Sequence, residues 1–198
     1  MLLKIASTIV FIWSTILVED ISAWDWLIST SDSSPQLQAN FTIEKYVGKW
    51  YEIYRTENIP FESGSDITAN YSINDDGTIK VLNRQYLPDK KEWHEGIGNA
   101  WVKDESKPAQ LTVKFKWYIP GGDYRVLKTD YKTFSVVYSD TSFIFGLIRQ
   151  TYAWILARTP QISEQTAQEA FEVLSRVNLN RDDFIKTPHG QAPTGVVA

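Results

Sequence analysis

The sequence predicts an all-β protein, an eight-stranded antiparallel up-and-down barrel with one C-terminal α-helix packed on its outside. Between residues 48 and 158, eight segments alternate with period two and are rich in Tyr, Val, Ile and Thr. Turn signals separate several of these segments, and no helical pattern long enough for a crossover interrupts them. Closure of such a meander into a barrel leaves no open sheet edge.

Turn-forming residues separate the predicted strands, which cover residues 48–56, 67–73, 78–87, 97–103, 109–118, 123–129, 133–139 and 151–158. Asn74-Asp75-Asp76-Gly77 is a strong hairpin signal between the second and third strands. Leu87-Pro88-Asp89-Lys90 and Ile119-Pro120-Gly121-Gly122 mark two further turns. Within the fourth strand, Gly96 and Gly98 predict a bend or bulge where the sheet curls.

A helical period appears only after the last strand. Ser163 is placed to cap a helix. The apolar residues that follow have helical spacing: Ala167, Ala170, Phe171, Leu174 and Val177. A single apolar stripe predicts that this helix lies against the outer wall of the barrel. The last thirteen residues, 186–198, contain two Pro and two Gly and predict a flexible tail.

The first 23 residues predict a secretory signal peptide, because Lys4 precedes an apolar run at 5–18 that is short for a membrane anchor. The predicted organisation is a signal peptide at 1–23, an irregular leader at 24–40, the barrel and helix at 41–185, and the tail at 186–198. We therefore expect a secreted, extracellular protein, or a periplasmic one in a bacterium. Sequons at Asn40 and Asn70 are expected glycosylation sites in a eukaryotic host.

Composition and residue types exclude several function classes. The net charge of −4 argues against nucleic-acid binding, which needs a basic face. The chain has no Cys and only two histidines, His94 and His189, so we expect no metal site and no cofactor. The pair Asp75 and Asp76 lies in a glycine turn, where solvated residues are expected rather than catalysts. The residue types therefore favour a protein that is not an enzyme. Aromatic residues make up 14% of the chain, which suits either a large core or a cavity lined by aromatic rings.

Three short motifs occur in a characteristic order. Gly48-Lys49-Trp50 opens the first strand, Thr129-Asp130-Tyr131 closes the sixth, and Arg158 ends the eighth. With these motifs, four longer segments resemble the lipocalin family from about Phe41 to Phe184: NFTIEKYVGKWYEI, TANYSINDDGTIKVLN, PAQLTVKFKWYIP and YAWILARTP. The resemblance implies a barrel that holds one small ligand, with Trp50 at its closed end and Arg158 packed over the Trp50 ring.

The resemblance also assigns four residues to a ligand cavity: Tyr71, Asn83, Tyr124 and Trp154. A cavity with one amide and two phenols suits a mostly apolar ligand with a polar end. The expected function is a monomeric carrier or scavenger of fatty acids, sterols or related lipids. The alternatives are a barrel whose aromatics simply fill its core, a lipocalin-type enzyme acting on a lipid, and an inhibitor or structural protein. No acidic pair is identified on an inward face, and the Cys used by isomerases of this fold is missing.

The segment TSFIFGLIR, residues 141–149, is unusually apolar for a connection between two strands. We expect it to be neither a barrel strand nor a membrane span, and to lie at the open mouth beside Trp117, Tyr118 and Ile119. Five side chains are expected to contact a membrane or lipoprotein surface: Phe143, Ile144, Phe145, Leu147 and Ile148. The alternative is that this loop folds back as a lid over the cavity.

The absence of cysteine departs from the lipocalins that this chain most resembles. Those proteins have disulfides, one of which holds the loop between the last two strands. Asp66 and Asp140 stand near the positions where cysteines are expected. We therefore expect the loop at 141–149 to be untethered.

Overall fold

Eight antiparallel strands pair in chain order, and β1 closes the ring by pairing with both β2 and β8. The structure is a computed structural model that describes residues 35–57, 59, 62–115, 121–143 and 148–193. Its elements are α1 (Ile43–Tyr46), β1 (Gly48–Thr56), β2 (Ser65–Ile73), β3 (Ile79–Leu87), β4 (Glu92–Val102), β5 (Gln110–Lys114), β6 (Gly122–Thr129), β7 (Phe134–Phe143), β8 (Ile148–Ala157), α2 (Glu164–Ser175), a 3₁₀ turn (Arg181–Asp183) and β9 (Phe184–Lys186). The predicted barrel with an external C-terminal helix is confirmed.

The β7–β8 hairpin is longer than the sequence predicts. β7 continues to Phe143 and β8 begins at Ile148, and these two residues are paired across the hairpin. The expectation that 141–149 contributes nothing to a barrel strand is therefore wrong at both ends of the segment. Thr, Phe and Ile suit a pleated ladder, and pairing satisfies their backbone groups. The connecting residues 144–147 lie outside the described residues.

The glycines of β4 do not mark a bulge. β3 and β4 pair without interruption from Ile79 opposite Ala100 to Leu87 opposite Glu92, so a bulge at Gly96 and Gly98, one of the two predicted alternatives, is absent from this ladder. A Cβ atom on Gly98 would lie 2.7 Å from the carbonyl oxygen of Lys114 on β5. Glycine is needed at this position because the neighbouring backbone approaches too closely for a side chain.

A bulge occurs instead in β1, where the register against β8 shifts between Glu52 and Tyr54. Before the bulge, Trp50 and Glu52 share one face of the strand, as period-two alternation requires. The extra residue, Ile53, reverses this alternation, because one inserted residue changes the face of every side chain after it. Ile53 and Tyr54 both pack in the cluster under α2, outside the barrel.

Two buried clusters lie on opposite faces of the barrel wall. The outer cluster joins α2 to the strands through Ala170, Phe171 and Leu174, and Val173 is buried with them. Ser163 caps this helix by accepting a hydrogen bond from the Thr166 N–H at 3.1 Å, as predicted. The inner cluster faces the barrel interior and includes Trp50, Tyr71, Val81, Val126 and Leu156.

The C-terminal segment fills the gap where β1 and β2 separate. The two strands pair only from Gly48 opposite Tyr71 to Tyr51 opposite Thr68. Beyond this point β9 pairs with β1, and the Asp66 N–H on β2 donates to the Pro188 carbonyl at 2.8 Å. Part of the segment that the sequence assigns to a flexible tail therefore packs on the barrel.

Candidate ligand-binding site

Trp50 and Arg158 lie at the end of the barrel where β1 begins and β8 ends, called the closed end below. Trp50 is completely buried, and its indole N–H donates to the Tyr46 carbonyl at 2.8 Å. The guanidinium carbon of Arg158 lies 3.7 Å from the centre of the Trp50 ring, a cation–π contact. The same guanidinium donates to five main-chain carbonyl oxygens, those of Lys45, Tyr46, Val47, Lys49 and Tyr131.

Gly48 has a φ of +95°, and a Cβ atom there would meet the Arg158 guanidinium at 3.4 Å. Glycine adopts this backbone conformation without the strain that other residues would carry. The residue therefore lets β1 begin directly beneath Arg158, and the first and third motifs meet in space.

The second motif forms the tight turn between β6 and β7. Thr129 donates its hydroxyl to the Phe134 carbonyl and accepts the N–H of Tyr131 at 2.9 Å. Asp130 accepts the N–H groups of Lys132, Thr133 and Phe134 at 3.0, 2.7 and 3.1 Å. Partial burial alone would raise the pKa of Asp130, but these hydrogen bonds lower it below its ordinary value. The motif residues therefore have structural roles at the closed end.

Three tyrosines meet in the barrel interior next to Trp50. The hydroxyl of Tyr124 lies 3.0 Å from that of Tyr46 and 2.9 Å from that of Tyr71, and Tyr46 also reaches the Ser135 hydroxyl at 3.0 Å. Burial raises the pKa of all three, to about 12 for Tyr46, so they are neutral phenols at physiological pH. A small cavity beside them is lined by Ile43, Tyr46, Tyr71, Ile79, Ala100, Leu111, Val113 and Tyr124.

Asn83 and Trp154, the other two predicted cavity residues, do not line this small cavity, although both have polar atoms in buried or partly buried positions. The Oδ1 atom of Asn83 is buried and meets no hydrogen-bond donor among the described residues. The indole N–H of Trp154 donates to Glu62 Oε2 at 2.8 Å, and its ring packs against the inner cluster. The structure thus brings Tyr71 and Tyr124 into direct contact, and gives Trp154 an acidic partner that the sequence did not suggest.

The sequence reasoning missed a charged cluster, formed by buried Glu52 and Arg55 and partly exposed Glu62, together with the hydroxyl of Thr187. Glu52 and Arg55 are 2% and 6% exposed and form an ion pair at 3.0 Å. The Thr187 hydroxyl donates to Glu52 and accepts from Arg55. Burial raises the pKa of Glu62 well above its ordinary value, and the adjacent Glu52 carboxylate raises it further. The sequence identified no acidic pair on an inward strand face; the structure brings Glu52 of β1 next to Glu62, which lies in the connection between β1 and β2.

One member of this cluster could have been found from the sequence. Glu52 follows Trp50 by two residues in a strand, so an inward Trp50 implies an inward Glu52. Arg55 turns inward only because of the bulge at Ile53, and Thr187 arrives from the far end of the chain. The alternation of residues along the sequence therefore predicts neither the inward orientation of Arg55 nor the contact made by Thr187.

The remaining predicted sites lie at the surface or outside the described residues. Asn40 and Asn70 are exposed, and Asn40 has a φ of +51°. The backbones of Phe143 and Ile148 end β7 and β8, whereas Ile144, Phe145, Leu147 and 117–119 are not described. Within the described ranges, neither helix is long and apolar enough to cross a membrane, and no group of His, Asp or Glu is arranged to hold a metal ion.

A closed eight-stranded barrel with a plugged end, a polar and aromatic interior and one external helix defines the class of calyx-shaped β-barrels. Residues 41–189 match the model of the lipocalin-like domain family, and the chain belongs to this family, which confirms the resemblance drawn from the motifs.

Named relatives agree with this assignment. The chain is 37% identical over 161 residues to apolipoprotein D from Bos taurus, covering 80% of this chain and 82% of the relative. It is 36% identical over 150 residues to the outer membrane lipoprotein Blc of Escherichia coli strain K12, covering 74% and 78%. Insecticyanin from the tobacco hornworm Manduca sexta superposes with a TM-score of 0.68 at 18% identity, over 79% of this chain and 85% of that structure, which shows a shared fold.

Proposed function

We propose that this chain is a carrier or scavenger of small lipophilic molecules, which it binds in the barrel interior against Tyr71, Asn83, Tyr124 and Trp154. The observation that carries the proposal is an interior in which aromatic rings surround a few polar atoms, one of them the unpaired Asn83 Oδ1. Fatty acids, sterols and related lipids are the candidate ligand classes. Membership of the lipocalin-like domain family supports it.

The expected affinity is moderate. Burial of ~400 Å² of apolar ligand surface yields roughly 10 kcal/mol at ~25 cal/mol/Å². Immobilisation of the ligand offsets several kcal/mol of this, so dissociation constants of about micromolar are expected. Such values suit a carrier that both loads and releases its ligand.

The Glu52–Glu62 pair is the observation that favours an enzyme instead, because a carboxyl whose pKa is raised by burial and by a neighbouring carboxylate, as that of Glu62 is, can act as a general acid. The Glu52 carboxylate is already held by Arg55 and Thr187, which leaves it poorly placed to exchange protons with a substrate. We therefore propose a binding protein. Recovery of added lipid unchanged after long incubation would agree with this, and its conversion would establish an enzyme.

Trp154→Ala should weaken binding of palmitate or progesterone by about 1–3 kcal/mol, or roughly 5- to 150-fold, since one buried ring contact is lost. Isothermal titration calorimetry measures this without relying on tryptophan emission. Trp101→Ala is the matched control, because Trp101 is an exposed tryptophan on β4, and its affinity should equal that of the wild type. A folded Trp154→Ala variant with unchanged affinity would rule out Trp154 as part of the ligand-binding site.

We further propose that the protein is secreted after loss of residues 1–23, that it is glycosylated at Asn40 and Asn70, and that it loads ligand at a membrane or lipoprotein surface. The loading contact would be made by the apolar residues of the β7–β8 connection, with Arg149 near the headgroups. Partial burial of five such side chains yields ~3–6 kcal/mol, comparable to one acyl chain and therefore reversible.

Liposome flotation tests the loading contact with a triple variant, Phe143→Ser, Phe145→Ser and Leu147→Ser. The wild type should float and the triple variant should not. The control, Ile73→Ser with Ile97→Ser, removes exposed apolar side chains from β2 and β4 and should float like the wild type. Equal behaviour of the wild type and the triple variant, floating or not, would favour the lid over the cavity.

A further inference from the structure

We propose that the barrel interior selects lipophilic ligands that carry a protonated amine, and that this amine binds at the carboxyl group of Glu62, beside the ion pair of Glu52 and Arg55. The inference rests on the proposed function and adds the chemistry of the ligand head group. The proposal is based on three observations. These are the charges of the cluster, the contact between Trp154 and Glu62, and the greater solvent exposure of Glu62 compared with Glu52 and Arg55.

The cluster contains two carboxyls but one guanidinium. Glu52 and Arg55 neutralise each other at 3.0 Å, with both side chains almost fully buried. Glu62 adjoins Glu52 and has no second cation beside it among the described residues. Ionisable neighbours among the described residues include Tyr71, a neutral phenol, and His189, whose ring nitrogen lies 2.7 Å from the Glu52 carbonyl oxygen. Counted over the described residues, the cluster is therefore one positive charge short.

At a pH below the pKa of Glu62, a proton supplies the missing charge in the free protein. Burial and the nearby Glu52 carboxylate raise the pKa of Glu62, so this carboxyl holds its proton to a higher pH than an exposed glutamic acid. An ammonium group can replace the proton, since it brings the same charge and donates hydrogen bonds to carboxylate oxygens. Binding of an amine should therefore expel a proton from Glu62.

Access and geometry favour Glu62 as the residue that meets the ligand. Glu62 and Trp154 are partly exposed, whereas Glu52 and Arg55 are sealed from solvent. The hydrogen bond of 2.8 Å from the Trp154 indole fixes one oxygen of Glu62 beside an aromatic ring. A cation next to the carboxyl would also lie close to that ring, where cation–π attraction adds to the ion pair.

Carboxylate ligands are the competing possibility, because Arg55 Nε is buried without a hydrogen-bond partner among the described residues. A fatty acid would bring a third carboxyl to a site that contains one guanidinium, already paired with Glu52. Two of those carboxyls would have to be protonated, or the ligand would meet uncompensated repulsion. A neutral alcohol avoids this repulsion but gains no ion pair.

The test compares dodecylamine, dodecanol and laurate, which share one chain length and differ in head group. At about pH 8 the amine is still charged, because its pKa is near the ~10.4 of a lysine. Dodecylamine should bind roughly tenfold or more tightly than the other two, as one charge-assisted pair implies. Glu62→Gln should bring the ratio of amine to alcohol affinity close to one. Glu169→Gln, which removes an exposed carboxylate paired with Lys128 on the outer surface, should leave the ratio unchanged.

Proton release provides a second readout that needs no variant. Calorimetry in two buffers with different ionisation heats should detect about one proton released per amine bound below the pKa of Glu62, and none for dodecanol. Amine binding with no proton release at any pH between about 5 and 8 would overturn the inference even if Glu62→Gln failed to fold. If dodecanol or laurate bound as tightly as the amine, the amine preference would be wrong while the carrier function stood. If none of the three bound, the carrier function itself would fail.

Discussion

Replacement of Arg158 by alanine is expected to lower the free energy of unfolding by about 3–5 kcal/mol, as measured by urea denaturation. The variant loses the ring contact with Trp50 and the hydrogen bonds from the guanidinium to main-chain carbonyls of α1, Val47, β1 and the β6–β7 turn. Arg158→Lys should recover only part of this loss, because an ammonium cannot reach carbonyls on three segments as a planar guanidinium does.

The control for this variant is Arg176→Ala, which removes an exposed arginine just after α2 and should change stability by no more than about 0.5 kcal/mol. Ligand affinity of folded Arg158→Ala should stay close to that of the wild type, because Arg158 lies at the closed end. If Arg158→Ala kept wild-type stability but lost affinity, the ligand would have to enter at the end of the barrel where β1 begins and β8 ends.

The fold could be predicted because its determinants are local. Alternation along β1, the Gly77 turn with its φ of +80°, and the Ser163 cap each depend on residues within a few positions of one another. The ends of the strands were harder to predict from the sequence. β4 begins at Glu92, five residues before the prediction, since the charged and polar residues there interrupt the apolar pattern although their backbones pair with β3.

The candidate site could be predicted only in part, and the missing part is electrostatic. A charged residue in a strand is normally read as facing solvent, yet Glu52 and Arg55 face the interior because each is the other's partner. Glu62 lies between β1 and β2, and Thr187 is separated from Glu52 by 135 positions. Contacts of this kind are set by the closed barrel and not by any local pattern.

Asp66→Asn is expected to lower the free energy of unfolding by about 1–3 kcal/mol at neutral pH. The Asp66 carboxylate accepts the N–H groups of Gly190, Gln191 and Ala192 at 2.6, 3.0 and 2.9 Å, and so holds the C-terminal segment across the gap between β1 and β2. Asparagine tolerates the φ of +53° at this position but is a weaker, uncharged acceptor. Asp182→Asn, which changes an exposed aspartate of the 3₁₀ turn, should have no measurable effect.

The pH dependence of this difference identifies the carboxylate as its cause. Burial alone would raise the pKa of Asp66, but hydrogen bonds from Gly190 and Ala192 lower it below the ordinary 3.8. A folded pKa below the unfolded one stabilises the protein fully above about pH 5, and this contribution is lost as the pH falls through the folded pKa. Unfolding curves of the wild type and Asp66→Asn should therefore differ by a constant amount from neutral pH down to about pH 5 and converge in stronger acid. A difference that persisted to the lowest pH would show that the C-terminal segment is held by β9 and Thr187, and that the charge of Asp66 contributes nothing to its attachment.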